Sequence, residues 1–87
     1  MKVQLLVSES CPPCDQAESV WRVVASEHNL EFSVLNLAEP EGQQLANRLH
    51  LKTIPALVVN DVLVAIGVQS PEEAHALVMR DPLRKRP

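Results

Sequence analysis

Eight residues hold every thiol in the chain. Ser8-Glu9-Ser10-Cys11-Pro12-Pro13-Cys14-Asp15 sets its two cysteines one helical turn apart, with two prolines between them. Such a pair can be a structural cross-link, part of a metal site, or a dithiol–disulfide centre. A cross-link here closes almost no loop. Chain-entropy scaling gives it at most ~2 kcal/mol, and the prolines have already removed much of that freedom. A zinc site takes three or four protein ligands. The remaining soft ligands, His28, His50 and His75, fall on three different expected helices with no paired spacing, and each reads as a surface residue. A metal shared between two chains stays open. A redox pair suits the residues best. Cys11 follows an expected strand and opens an expected helix, where unpaired N–H groups and the helix dipole favour a thiolate. Cys14, one turn in, is within reach of a mixed disulfide formed at Cys11.

The elements that must position this pair follow from the pattern of residue types. Val3 to Val7 is a short aliphatic strand. Pro12 and Pro13 can only begin a helix, because the first turn leaves their missing N–H groups unused. Cys14, Ala17, Val20, Trp21 and Val24 continue it as an i, i+3, i+6, i+7, i+10 stripe, with Trp21 expected in the core. That helix should stop near His28-Asn29, since asparagine tolerates the left-handed cap. Glu31 to Leu37 forms a second strand. Pro40 to His50 forms a short helix with Leu45, Ala46 and Leu49 as its apolar face, weakened by about 1 kcal/mol at Gly42. Ala56 to Val59 and Val62 to Ile66 flank Asn60-Asp61, two residues that accept φ > 0 and suit a tight hairpin. Ser70-Pro71-Glu72-Glu73 is a capping box with proline at the first helical position. Ala74, Leu77 and Val78 are the buried stripe of this last helix.

Composition bounds the class. The 87 residues are 46% hydrophobic and 22% charged, with Trp21 and Phe32 the only aromatics, so aliphatic packing must build one small core. Net charge is −3, unevenly spread: residues 1–79 hold ten acids and four bases, whereas Arg80, Arg84, Lys85 and Arg86 face only Asp81. The division expected is a domain over residues 1–80 and a basic, solubilising tail over residues 81–87. A nucleic-acid partner is not expected, because the rest of the chain has no basic stripe. Val3-Gln4-Leu5-Leu6-Val7 is too short and polar for a signal-peptide core, and nothing approaches the ~18 apolar residues of a membrane span. The expectation is a cytoplasmic monomer without a membrane partner, in a compartment that holds thiols reduced.

Three features together carry a resemblance. They are CPPC between a first strand and a helix, Thr53-Ile54-Pro55 before a hairpin, and Gly67 between the last strand and the final helix. On them the chain resembles the thioredoxin/glutaredoxin superfamily over residues 2–80. The resemblance implies an α/β, thioredoxin-like fold: a four-stranded mixed β-sheet flanked by three helices, in the order β-α-β-α-β-β-α. The size is glutaredoxin-like, since the extra N-terminal strand and helix of full thioredoxins are missing. It also implies thiol–disulfide oxidoreductase activity, with Cys11 as nucleophile, Cys14 as resolving thiol and a cis bond before Pro55 beside them. Pro12, Thr53, Ile54, Gly67 and Val68 would bind substrate, with the Ile54 backbone offered to an extended target. No metal is implied, and no cofactor beyond the Cys11-Cys14 redox-active disulfide. The implied partners are disulfide-containing protein targets and an upstream reductase or low-molecular-weight thiol.

The site departs from both branches of that superfamily. Pro12 matches the glutaredoxin pattern and Pro13 the thioredoxin one. Ser10 stands where thioredoxins carry tryptophan, and Leu5 where they bury an acid. Removal of the Cys14 proton then falls to water or another group, such as Glu9. Two prolines delete two N–H donors that could face the Cys11 sulfur, so its thiol should be only moderately acidified. Gly67-Val68-Gln69-Ser70 has one glycine and no acid where glutaredoxins hold the glutathione carboxylate. Glu9 and Asp15 would repel an anionic tripeptide. Reduction of protein disulfides is therefore expected ahead of glutathione-dependent reduction. The latter is the alternative, together with a metal- or iron–sulfur-binding module built on the cysteine pair.

Overall fold

Strands and helices alternate in the order β1 (Lys2–Val7), α1 (Pro12–His28), β2 (Glu31–Asn36), α2 (Pro40–Leu49), β3 (Ala56–Val59), β4 (Val62–Ile66) and α3 (Pro71–Met79). They come from a computed structural model that describes residues 1–80; the expected tail over residues 81–87 lies outside the described residues. The sheet order is β2-β1-β3-β4. β1 runs parallel to β2, which requires the α1 crossover, and antiparallel to β3, which pairs antiparallel with β4 through the Asn60-Asp61 turn. This is the four-stranded mixed sheet with three helices expected from the sequence.

The two central strands are buried on both faces. Val3, Leu5, Leu6 and Val7 of β1 and Ala56, Leu57 and Val58 of β3 are all buried, which is why these strands read as aliphatic runs rather than alternations. On one face, Val3, Leu5 and Leu57 join Cys14, Ala17, Trp21 and Val24 of α1 and Ala74 and Val78 of α3 in a single cluster. Strand alternation turns Leu6, Ala56 and Val58 to the other face. There Leu45 is the large buried side chain of α2.

Helix ends follow local chemistry. Asn29 closes α1 in the left-handed conformation (φ 55°, ψ 45°), its N–H donating to the Ala25 carbonyl. His50, expected as the last residue of α2, is instead its left-handed cap at φ 55°, so the helix ends at Leu49. β2 ends at Asn36 rather than Leu37, although the Leu37 N–H still donates to the Val7 carbonyl at 2.9 Å. Gly42 has a reason that the sequence does not display. It is buried, and a Cβ there would collide with the Asn36 carbonyl oxygen and lie 2.7 Å from the carbonyl carbon. The propensity lost inside α2 is offset by the close approach of that helix to the end of β2.

Candidate active site

Strand register decides which loops meet. Leu6 of β1 lies opposite Ala56 of β3, and Ala56 lies opposite Ile66 of β4. The segment after Val7, the segment before Ala56 and the turn after Ile66 therefore leave the sheet at the same end. These segments hold Cys11 and Cys14, then Thr53-Ile54-Pro55, then Gly67-Val68. Topology unites three motifs that are far apart along the chain.

Cys11 is the N-cap of α1, with extended backbone (φ −125°, ψ 92°). Its carbonyl accepts the N–H of Cys14 at 3.0 Å and of Asp15 at 3.2 Å, and its Sγ accepts the Cys14 N–H at 3.2 Å. Pro12 and Pro13 have no N–H to offer, so the donor nearest in sequence that can turn to the sulfur is Cys14 itself. Cys11 and Cys14 form a disulfide, with Cα atoms 5.2 Å apart. Their exposures differ in kind. Cys14 is 2% exposed within the main core cluster, whereas Cys11 is half-buried and Pro12 and Pro13 are exposed. Of the two cysteines, Cys11 is thus the one nearer the surface.

In the segment that reaches the same end of the sheet before β3, the Ile54–Pro55 peptide bond is cis and Pro55 is fully buried. Ile54 is half-buried against the core cluster that contains Cys14, and Thr53 is exposed. Gly67 has φ +88°, a conformation that suits glycine, and its N–H donates to the Pro55 carbonyl at 2.8 Å. Val68, next to it, is 39% exposed, leaving an apolar side chain on the same rim.

Residues 1–79 match the family model described as a thioredoxin domain. The chain belongs to the thioredoxin family. A protein of Archaeoglobus fulgidus described as a probable thioredoxin is 32% identical over 78 residues, covering 90% of this chain and 86% of the relative. Among solved structures, thioredoxin 1 of Thermosipho africanus superposes with a TM-score of 0.74 at 14% identity, over 92% of each chain. The Malassezia sympodialis thioredoxin gives 0.71 at 17% identity, over 91% of this chain and 72% of that one. The oxidised thioredoxin of Plasmodium falciparum gives 0.72 at 13% identity, over 91% of this chain and 78% of that one. These structures share the fold. Family membership together with the Cys11–Cys14 disulfide makes the protein a thiol–disulfide oxidoreductase.

Within this thioredoxin-family site some features are not visible from the sequence. Leu5 is fully buried in the cluster that holds Cys14, Glu9 is exposed, and among the described residues Gln69 is the one buried polar side chain. Hence no carboxylate among the described residues is buried beside Cys14. In the sequence Gln69 reads only as one residue of the Gly67-Val68-Gln69-Ser70 turn. The signal that points to it is Trp21, since a buried indole N–H needs an acceptor. Ser10, immediately before Cys11, holds a left-handed φ of 53°. His28 and His75, expected as separate surface residues, bring their rings together between α1 and α3, Nε2 to Nδ1 at 2.9 Å. Among the described residues no group of three or more His, Cys, Asp or Glu side chains is placed to hold a metal ion, and no helix is long and apolar enough to cross a membrane.

Proposed function

We propose that this thioredoxin-family protein reduces protein disulfides by dithiol–disulfide exchange through Cys11 and Cys14. The observation that carries this reading is the division of the pair at the start of α1, a half-buried Cys11 against a Cys14 that is 2% exposed. In the reduced protein the Cys11 thiolate attacks one sulfur of a target disulfide. A mixed disulfide forms, and the other target sulfur leaves and takes up a proton. Cys14 then loses its proton and attacks the Cys11 sulfur, which releases the second target thiol. The target gains two electrons and two protons, and Cys11–Cys14 becomes the disulfide. An upstream reductase or a low-molecular-weight thiol returns the pair to the dithiol.

Target docking falls to the rim of Pro12, Thr53, Ile54, Gly67 and Val68, with the Ile54 backbone set beside an extended target segment and buried Pro55 supporting it. The exposed acids Glu9 and Asp15 beside the cysteines favour this over glutathione as the substrate. The reducing cytoplasm is the compartment that suits such a cycle.

Single-cysteine variants test the reading. With insulin as the disulfide, Cys14→Ala should accumulate a covalent mixed disulfide on Cys11 and not turn over. Cys11→Ala should give neither adduct nor turnover. An adduct on Cys14, or turnover that survives Cys11→Ala, would overturn the assignment.

A further inference from the structure

A single hydrogen-bonded chain runs from the middle of α1 to the residue before the start of β3. The Trp21 indole N–H donates to Gln69 Oε1 at 3.0 Å. Gln69 Nε2 donates to the Gly67 carbonyl at 3.2 Å, and the Gly67 N–H donates to the Pro55 carbonyl at 2.8 Å. The direction of each link is dictated by chemistry. Indole nitrogen only donates, so the amide oxygen must face it, and the amide NH₂ is left for the carbonyl. Trp21 is 1% exposed and Gln69 7% exposed, so both polar groups are removed from water and depend on each other.

We propose that Gln69 is the positioning residue of the docking rim. Through one side-chain amide it ties the Gly67-Val68 turn, and through Gly67 the Ile54-Pro55 segment, to the helix that carries both cysteines. The backbone bond between Gly67 and Pro55 couples the two loops to each other, and Gln69 couples them to α1. An apolar residue at 69 would leave the Trp21 N–H and the Gly67 carbonyl without these partners, and the turn would settle elsewhere. Cys11 and its helix start would keep their own hydrogen bonds, which involve only residues 11 to 15. A target that must rest on Ile54 and Val68 while its sulfur meets Cys11 would bind less well. A small disulfide that needs no rim would react as before.

This inference rests on the protein-disulfide reading, and the experiment separates the two. Wild type, Gln69→Leu and Gln69→Glu are compared on insulin and on the small disulfide 5,5′-dithiobis(2-nitrobenzoate), with Trp21 fluorescence recorded for each. The glutamate variant keeps an acceptor for Trp21. Burial against a carbonyl oxygen raises its pKa, so the assays are run on the alkaline side, where it is a carboxylate with no proton for the Gly67 carbonyl. It breaks one link and conserves volume should the leucine variant fail to fold. Both variants should raise KM for insulin about tenfold with kcat held, while the rate on the small disulfide stays within about twofold of wild type. Trp21 emission should shift in Gln69→Leu, which loses the indole partner, and stay near wild type in Gln69→Glu. Unchanged KM for insulin, or equal losses on both substrates, would overturn the proposal. A wild type without insulin turnover would instead overturn the protein-disulfide reading.

Discussion

Two helices of this protein start on the same four-residue frame and do different things with it. α3 opens on Ser70-Pro71-Glu72-Glu73 and α1 on Cys11-Pro12-Pro13-Cys14. In each, the residue before the helix accepts an N–H from three positions on: Ser70 Oγ from Glu73 at 3.1 Å, Cys11 Sγ from Cys14 at 3.2 Å. In each, the side chain three positions on reaches back. Glu73 Oε1 accepts the Ser70 N–H at 2.8 Å, and Cys14 Sγ bonds to Cys11 Sγ. With oxygens the frame is a capping box that stops at satisfying orphan donors. With sulfurs the same reach becomes a covalent bond that two electrons and two protons undo. Burial completes the contrast, since Ser70 and Glu73 are exposed while Cys14 lies in the core. The helix start is thus a common template, and the chemistry comes from the atom type and from the loops brought to that end of the sheet.

The comparison is broken most severely by giving α1 the cap atom of α3. Cys11→Ser should abolish turnover on every disulfide yet leave the helix started, because serine is a strong N-cap. The reduced variant should unfold within about 1 kcal/mol of the reduced wild type, followed by circular dichroism. Collapse of the fold in the reduced variant alone would instead show that the Cys11 side chain makes a structural contact that serine cannot replace. The converse change, Ser70→Ala, should cost about 1 kcal/mol in urea denaturation, with the rate on a small disulfide retained. A third helix sharpens the contrast. α2 begins after Glu39, whose side chain makes no capping hydrogen bond. Glu39→Ser should therefore raise stability by up to about 0.5 kcal/mol, and a loss of stability would show that Glu39 makes a stabilising contact of another kind.

Most of the fold was legible because residues with hard backbone constraints punctuate it. Pro12-Pro13, Asn29, Asn60-Asp61 and Ser70-Pro71 mark their boundaries by what their own backbones allow. The cysteine pair was legible as chemistry, and Thr53-Ile54-Pro55 and Gly67 were legible through resemblance. What stayed hidden depends on partners in other elements. Gly42 is explained by the Asn36 carbonyl at the end of β2, and Gln69 by an indole 48 positions upstream. His28 and His75 meet across two helices, whereas periodicity finds partners only along one. Ser10 and His50 hold positive φ because the chain path turns there, and neither residue type advertises it.

The proposed cycle requires that one sulfur of the pair be offered to targets and the other held back in the core. Limited alkylation of the fully reduced protein with iodoacetamide at neutral pH, followed by peptide mapping, tests it directly. Cys11 should be modified first, with Cys14 labelled only after denaturation or at long times. Preferential labelling of Cys14, or equal rates at the two sites, would contradict the division of roles between the two sulfurs.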